Sequence, residues 1–436
     1  MLTALERAQL EARLFKEQLG FTTTMNEGEQ VATEQLLCKY LLETQTISSA
    51  RWKPYVPDEP RFFQYSVGIK NDGGSAGGTS LSRAHAMRTA LAEAVERKIW
   101  LTETKHLHSG PPTPSHHMPA NTPRASSYVL SNKTHTAHHA TIDDIPLRWS
   151  RAYSYTARRY VSVPSQLLSA AYAKESGEIM LRQPITTGLA TAPTRRAALL
   201  SGALEVIERD AFMMTWLSGI SPITLTHDSL IAECPDLGTL LESCVRYRLM
   251  VTFVQLFTDA PTYSIMVVVS DPSHMPPVAV GAAAGPHAGR ASLKGLLEAL
   301  RARQNSRAQS KKDIPQQNSR LAFWAKPEHA THAAFLTATS PSPLRQAPWH
   351  HEATRPHFAR IIDWARASSF DLLAADLSSG EANVPGWHIY QVIIPQLQPL
   401  HQDERQKSSY TSRVPDVLKS HGYTMQQMNN VQHPFV

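Results

Sequence analysis

The chain has 436 residues, 42% of them hydrophobic, so it can bury a substantial core as one large domain or two, and global disorder is excluded. A net charge of +6 suits an anionic ligand such as a nucleotide but is too diffuse for a dedicated nucleic-acid binder. The cysteines form no CxxC pair, which disfavours a disulfide scaffold or a structural zinc site; they are Cys38, Cys234 and Cys244.

Residues 3–19 are predicted to form a helix ended by Gly20, and residues 29–44 a second one, so residues 1–65 form an N-terminal helical segment. The first of these carries charges throughout and lacks the apolar stretch of a signal peptide. No apolar run approaches the roughly 18 residues of a membrane span. We therefore expect a soluble, cytoplasmic protein with no membrane partner.

A Gly-rich stretch at 68–80 leads into a long predicted helix from Ser82 to Leu101. The segment 108–141 is rich in Pro, Ser, Thr and His and is predicted to be a surface loop. Its histidines have neither H-x-x-x-H spacing nor cysteine partners. An irregular loop is therefore favoured over a metal site.

A Gly-containing turn after residue 180 opens a second long helix. Residues 250–259 and 263–271 are predicted to form adjacent strands, residues 290–307 a third helix, and residues 388–399 a buried strand stopped by proline. This mixture predicts an α/β (α+β) fold with mixed sheets.

Two nearly identical heptapeptides lie on the first two long helices: LAEAVER at 91–97 and ALEVIER at 203–209. Each helix has an apolar stripe on one face and, on the other, a hydroxyl, two carboxylates and a guanidinium in the same order. These polar residues are Thr89, Glu93, Glu96 and Arg97 in the first copy, and Ser201, Glu205, Glu208 and Arg209 in the second.

Glutamates three apart on a helix lie roughly 5–6 Å from one another and repel unless a cation lies between them. A single copy is typical of an exposed Glu–Arg helix face. Two copies favour convergence of four carboxylates on Mg²⁺, which joins carboxylates to nucleotide phosphates, with the arginines meeting the phosphates. The third helix adds Arg301, Arg303 and Arg307. Three interpretations of this cluster are open: a contact with the same anion, a solvated basic face, which is the commoner one, and nucleic-acid binding, which is the weakest.

The site so predicted binds Mg²⁺ and a nucleotide without a P-loop. The sequence has no G-x-x-x-x-G-K-[ST], no kinase glycine-loop set, and no G-x-G-x-x-G preceded by a strand.

The segments GGTSLSRAHAMRTALAEAVER, TTGLATAPTRRAALLSGALEVIERDAF and VGAAAGPHAGRASLKGLLEALRAR resemble the three motifs of the YcaO family. Residues 376–405 and the closing NVQHPFV are similar to the azoline-forming branch, and the resemblance covers residues 66–436. It implies a YcaO-type nucleotide-binding domain that uses ATP and Mg²⁺. It further implies that ATP activates a backbone amide of a ribosomal precursor peptide, converting Cys, Ser or Thr to thiazoline or oxazoline.

The resemblance also assigns roles to residues of this chain. Glu93, Glu96, Glu205 and Glu208 are then Mg²⁺ ligands, and the residues beside the nucleotide and its phosphates are Thr89, Arg97, Ser201, Arg209 and Arg303. Pro434 and the terminal carboxylate of Val436 are the candidate catalytic residues of a tail that reaches the site and assists proton transfer.

Three departures from the family pattern stand out. Ala192 and Pro193 replace the usual Gly-Asn, Ala197 replaces a glutamate expected to bind metal, and the tail lacks prolines around His433-Pro434-Phe435. Two alternatives therefore remain beside azoline formation: a thioamide-forming enzyme with the same amide activation, and a scaffold subunit of the synthetase complex with weakened catalysis.

The family resemblance also implies partners. A precursor peptide would be the substrate, and an E1-like, leader-peptide-binding protein would deliver it, since residues 1–65 are too short for such a domain. An FMN-dependent dehydrogenase would oxidise azolines to azoles, and a homodimer would be unsurprising in this family. No nucleic-acid partner is expected.

Overall fold

The computed structural model describes residues 27–70, 74–102, 110–120, 122–128, 142–174, 176–309, 319–344, 356–379, 384–401, 411–425 and 427–435. The helix predicted for residues 3–19, part of the 108–141 segment, and Val436 lie outside these residues. No helix in the described ranges combines the length and the apolar character that crossing a membrane requires.

The chain divides into two compact units whose segments alternate along the sequence. Unit 1 is drawn from Met1–Pro54, Phe62–Ala203 and Ala365–Pro395. Unit 2 is drawn from Tyr55–Arg61, Leu204–Trp364 and Gln396–Val436.

Unit 1 contains two antiparallel sheets and the first glutamate helix. Its elements in chain order are α1 (Glu27–Glu43), β1 (Ile47–Trp52), β2 (Phe63–Ile69), β3 (Ser75–Ser80), α2 (Arg83–Trp100), β4 (Trp149–Ser154), β5 (Arg159–Pro164), β6 (Leu189–Ala192), β11 (Leu373–Asp376) and β12 (His388–Ile393). Within the described part of the predicted loop at 108–141, two short 3₁₀ turns form, at Ser115–His117 and Ala125–Tyr128.

The three-stranded sheet of unit 1 has the order β1-β2-β3, and the five-stranded sheet has the order β5-β4-β11-β12-β6. Helix α2 packs on β2 and β3. Its buried stripe includes Ala90, Leu91, Ala94 and Val95, which join the unit's core because apolar positions three and four apart share one helix face. Among the described residues, β3 and β6 each stand last in the strand order of their sheet, so both are edge strands.

Unit 2 contains one four-stranded antiparallel sheet flanked by helices. Its elements are β7 (Ile223–Leu225), α4 (His227–Glu233), α5 (Pro235–Arg246), β8 (Met250–Gln255), β9 (Tyr263–Ser270), β10 (Val278–Gly285), α6 (Ala288–Gln309), α7 (Ser319–Trp324) and α9 (Arg413–Ser420). Two more helices, α3 (Arg195–Ser218) and α8 (His357–Ala367), begin in one unit and end in the other.

The sheet of unit 2 has the order β10-β9-β8-β7, so β10 is an edge strand. Strand β9 is central and almost wholly buried, as its continuous apolar run requires. It pairs with β8 through Val254 and Met266, which confirms the adjacent strands predicted from residues 250–271.

Most of the predicted elements of the described chain are confirmed. The helices predicted for 29–44, 82–101 and 290–307 correspond to α1, α2 and α6, and the second glutamate helix is α3. The predicted strand at 388–399 is β12, which ends at Ile393, two residues before Pro395. The mixed α/β fold is confirmed.

Candidate active site

The glutamates of unit 1 are presented by α2, whose start is fixed by its cap. Ser82 Oγ accepts a hydrogen bond from the N–H of His85 at 3.4 Å, as an N-cap serine does. The helix then lies against β3 at Gly78, where an added Cβ would be 1.7 Å from the carbonyl oxygen of Ala86. This close approach brings the polar side of α2 within reach of the backbone of β3.

Glu93 joins α2 to the edge strand β3. Its Oε2 accepts a hydrogen bond from the N–H of Gly77 at 3.0 Å. Its Oε1 accepts two hydrogen bonds from Arg97, from Nε at 3.0 Å and Nη2 at 2.8 Å. The carboxylate is therefore oriented by one backbone donor and neutralised by one guanidinium.

Glu96 makes the same kind of contact with the other sheet of unit 1. Its Oε1 accepts a hydrogen bond from the N–H of Thr191, in the edge strand β6, at 2.6 Å. The two hydroxyl residues of the repeat are exposed: Thr89 donates to the carbonyl of His85 within α2, and Ser201 lies on α3.

Helix α3 begins at the segment that contains Pro193 and Ala197, two of the departures expected from the resemblance. Thr194 Oγ1 accepts a hydrogen bond from the N–H of Ala197 at 3.2 Å, so the threonine acts as the N-cap. A glutamate at 197 would complete a capping box, and alanine leaves only the threonine half of it. Thr194 therefore caps the helix without a carboxylate at position 197.

In unit 2, two carboxylates accept hydrogen bonds from the edge strand β10. Glu208 Oε2 accepts from the N–H of Ala284 at 3.2 Å, and Glu298 Oε2 accepts from the N–H of Ala282 at 3.1 Å. Residues two apart on a strand direct their N–H groups to the same edge, and β9 occupies the other edge. The sequence pattern did not identify Glu298 as a site residue.

Arg209 is the cation of this group. Its Nη1 lies 3.1 Å from Glu208 Oε1, and its Nη2 lies 3.6 Å from Glu205 Oε1. Burial raises the pKa of Glu208 to about 7, Arg209 and Lys294 lower it, and Glu298 and Glu205 raise it further. A second cation near Glu208 would lower this pKa and hold the carboxyl in its ionised form.

Arg303 occupies a buried ion-pair network. Its side chain is 2% exposed, and it donates to Glu59 at 2.9 Å, to Asp271 at 2.6 Å and to the carbonyl of Pro276 at 3.1 Å. The solvated basic face is therefore wrong for this residue. The phosphate contact implied for Arg303 stays a prediction, and it requires this network to open.

The structure describes the C-terminal tail as far as Phe435. His433 and Pro434 are buried, and His433 Nε2 lies 2.9 Å from the carbonyl oxygen of His401. Phe435 lies with its ring 4.1 Å from the guanidinium carbon of Arg209. Val436, the other candidate catalytic residue, lies outside the described residues.

The donor chemistry of both groups fits Mg²⁺, which takes hard carboxylate oxygens and keeps several waters. In the described part of the chain, no three histidine, cysteine, aspartate or glutamate side chains are arranged as a finished metal site. Arg97 and Arg209 hold carboxylate oxygens in this structure, so a cation has to share or displace them. Convergence of the two glutamate pairs stays a prediction.

Comparison with known protein families finds one model, described as YcaO cyclodehydratase, ATP- and Mg²⁺-binding, that matches residues 77–398. No curated protein matches the chain. The match includes every glutamate and arginine of the repeated heptapeptides and Glu298. ATP and Mg²⁺ are the cofactors of this family, and they are the cofactors of this chain.

Solved structures share the fold. A heterocyclase in complex with substrate and cofactor superposes with a TM-score of 0.71 and 17% identity over 92% of this chain, which spans only 57% of that protein. YcaO from Methanopyrus kandleri bound with AMPPCP and Mg²⁺ superposes with a TM-score of 0.61 and 16% sequence identity, and the match covers 88% of this chain and 95% of that one. A chain of the E. coli microcin synthetase McbBCD complex superposes with a TM-score of 0.66 and 12% sequence identity, and the match covers 88% of this chain and 96% of that one.

These likenesses agree in fold with the family match, which extends over more than half of the chain. The protein is therefore a member of the YcaO family.

Proposed function

We propose that this protein is an ATP-dependent cyclodehydratase that converts Cys, Ser or Thr of a ribosomal precursor peptide to thiazoline or oxazoline. The observation that carries the proposal is the arrangement of its glutamates. Glu93, Glu96 and Glu208 each accept a hydrogen bond from an edge-strand N–H, and this contact orients their carboxylates. Oriented carboxylates are what a Mg²⁺–nucleotide site needs.

The chemistry proposed begins on the peptide. The side-chain sulfur or oxygen attacks the preceding carbonyl carbon, loses its proton, and leaves an oxyanion on that carbon. The oxyanion takes the γ-phosphoryl group of ATP, which leaves as ADP. Loss of the amide proton and of phosphate then forms the C=N bond of the ring. Bound Mg²⁺ supplies charge neutralisation at the phosphates, which is the main requirement of phosphoryl transfer.

The chain's own residues would then have three tasks. We propose that Glu93, Glu96, Glu205 and Glu208 hold the cation, and that Thr89, Ser201, Arg97 and Arg209 lie beside the nucleotide. Pro434 and Val436 would assist the proton transfers of ring closure. Exposed Thr89 and Ser201 are available to a ligand, which supports their place in the proposal.

The partners proposed are a precursor peptide and an E1-like, leader-binding protein. A relative in fold is a synthetase complex of several proteins, and another structure of that complex contains pro-MccB17. We further propose that an FMN-dependent dehydrogenase follows and that the protein forms homodimers, both on the family resemblance alone.

The first test is Mg²⁺-dependent ATP binding, measured by calorimetry on wild type and on Glu205→Gln with Glu208→Gln. Glutamine keeps a hydrogen-bond acceptor but removes the charge, so binding should fall at least about 100-fold, the loss expected when two charged ligands are neutralised. Glu242→Gln, at an exposed position of α5, is the matched control and should bind as wild type does.

The second test identifies the product. Wild type, partner protein, precursor peptide and Mg²⁺–ATP should yield peptide lighter by one water per ring, with one ADP formed for each. Peptide in which sulfur has replaced an amide oxygen would identify the thioamide-forming alternative. Absence of Mg²⁺–ATP binding by wild type, with the partner present, would identify the scaffold alternative.

A further inference from the structure

The segment 431–435 of unit 2 is tied down through its backbone. Three of its carbonyl oxygens accept hydrogen bonds from buried or half-buried side chains of the unit. The pairs are Trp216 Nε1 to Val431 at 2.8 Å, Trp324 Nε1 to Gln432 at 3.1 Å, and Arg320 Nη1 to Phe435 at 3.3 Å. These three buried donors fix both the path of the segment and the position of the Phe435 ring.

That ring belongs to Phe435, which is 6% exposed. Its centroid lies 5.1 Å from the ring centroid of Phe212 and 4.1 Å from the guanidinium carbon of Arg209. Arg209 and Phe212 are one turn apart on α3, so a single face of that helix receives the ring. A guanidinium at this distance over an aromatic face is held by a cation–π interaction.

Arg209 in turn lies 3.1 Å from a carboxylate oxygen of Glu208 and 3.6 Å from one of Glu205. A guanidinium with one face on a ring has fewer orientations available, because leaving the ring costs the cation–π contact. The ring therefore limits where Arg209 places its charge between the two carboxylates.

We propose that Phe435 is a positioning residue, which acts through Arg209 to hold Glu205 and Glu208 in the geometry that binds Mg²⁺ and nucleotide. The proposal rests on the proposed function, since it concerns the same carboxylates. It assigns to the side chain of Phe435 a task separate from any proton transfer by Pro434 or Val436.

The binding test uses the full chain, Mg²⁺ and a non-hydrolysable ATP analogue, with wild type, Phe435→Leu, Phe435→Met and Phe435→Tyr. Leucine and methionine keep apolar volume but have no aromatic face, so we expect binding about fivefold to tenfold weaker, with a higher Mg²⁺ requirement. Tyrosine keeps the face and should restore binding to within about twofold of wild type. Phe257→Leu is the matched control and should bind as wild type does, because Phe257 is a buried phenylalanine of the same unit that packs in a separate cluster, against Tyr423.

A second measurement needs no nucleotide. Urea unfolding of Phe435→Leu, Arg209→Gln and the double variant forms a double-mutant cycle. If Phe435 acts through Arg209, the two effects are not additive. Additive effects would overturn the proposal, as would leucine and methionine variants that bind like wild type. Failure of wild type itself to bind the Mg²⁺–nucleotide would instead overturn the proposed function.

Discussion

Four glutamates of this chain perform one task in the fold, because each accepts a hydrogen bond from the N–H of an edge strand. Glu93 and Glu96 do so at β3 and β6, and Glu208 and Glu298 at β10. An unpaired N–H on a sheet edge needs a partner, and a carboxylate is a strong one. The same hydrogen bond that satisfies the edge also fixes the carboxylate, so stability and site geometry come from one contact.

A different carboxylate on α3 has a wholly structural task. Asp210 is fully buried, and Arg413 donates to it from Nη2 at 3.0 Å and to Asp259 from Nη1 at 3.1 Å. Burial raises the pKa of Asp210, while Arg413 and the N–H of Gln398 lower it. The pair fixes α9 to the helix that carries Glu205 and Glu208.

We expect Arg413→Met to lower the free energy of unfolding by about 3–5 kcal/mol, because it leaves a buried carboxylate without its cation. Lys419→Met, at an exposed position of α9, is the control and should change it by less than about 0.5 kcal/mol. Urea denaturation measures both. Equal midpoints for the two variants would show that the pair contributes nothing.

At the scale of elements, α2 and α6 use a similar device. Each helix packs against a glycine of the preceding edge strand, and a glutamate of the helix accepts a hydrogen bond from that strand. Glu93 accepts from the N–H of Gly77, and Glu298 accepts from the N–H of Ala282. The two glycines that permit this approach are Gly78 and Gly281, where an added Cβ would lie within 2.6 Å of helix backbone atoms. The close approach of each helix to its strand therefore permits the hydrogen bond between the strand N–H and the glutamate.

Gly78→Ala should therefore push α2 away from β3 and lengthen the hydrogen bond between Gly77 and Glu93. The new Cβ would meet the carbonyl oxygen of Ala86 at 1.7 Å, and backbone cannot yield as a flexible side chain does. We expect a loss of about 2–4 kcal/mol in the free energy of unfolding. Gly285→Ala, where no atom lies within 4 Å, is the control. A tolerated Gly78→Ala would refute the close-packing argument.

At the scale of the whole molecule, sequence periodicity predicted the glutamate helices and the strands of residues 250–271 because these patterns depend on local burial. It could not predict that Glu298 meets Ala282, since edge strands are decided by sheet order. Burial of Arg303 was missed for the same reason: its partner Glu59 lies 244 residues away in sequence. Phe435 beside Arg209 likewise depends on tertiary packing.

Stability of the protein should depend on pH through His357, a buried residue of α8. Burial, with help from the nearby charges of Arg360 and His287, lowers the pKa of His357 to about 4. The unfolded chain binds the proton more tightly, with a pKa near the usual 6.5. The contribution of His357 to stability is therefore fully present above pH 6.5 and is lost as the pH falls from 6.5 towards 4.

His357→Asn should reduce this loss, because asparagine keeps an acceptor for Arg360 Nη2, now 3.0 Å from His357 Nδ1, and has no proton to bind. The measurement is the urea midpoint at intervals between pH 7.5 and pH 4.5, on wild type, His357→Asn and the exposed control His332→Asn. We expect the midpoint of wild type and of the control to fall more steeply than that of His357→Asn. Parallel curves for all three proteins would mean that other groups, paired carboxylates among them, govern acid unfolding, since protonation of such carboxylates also destabilises the folded state.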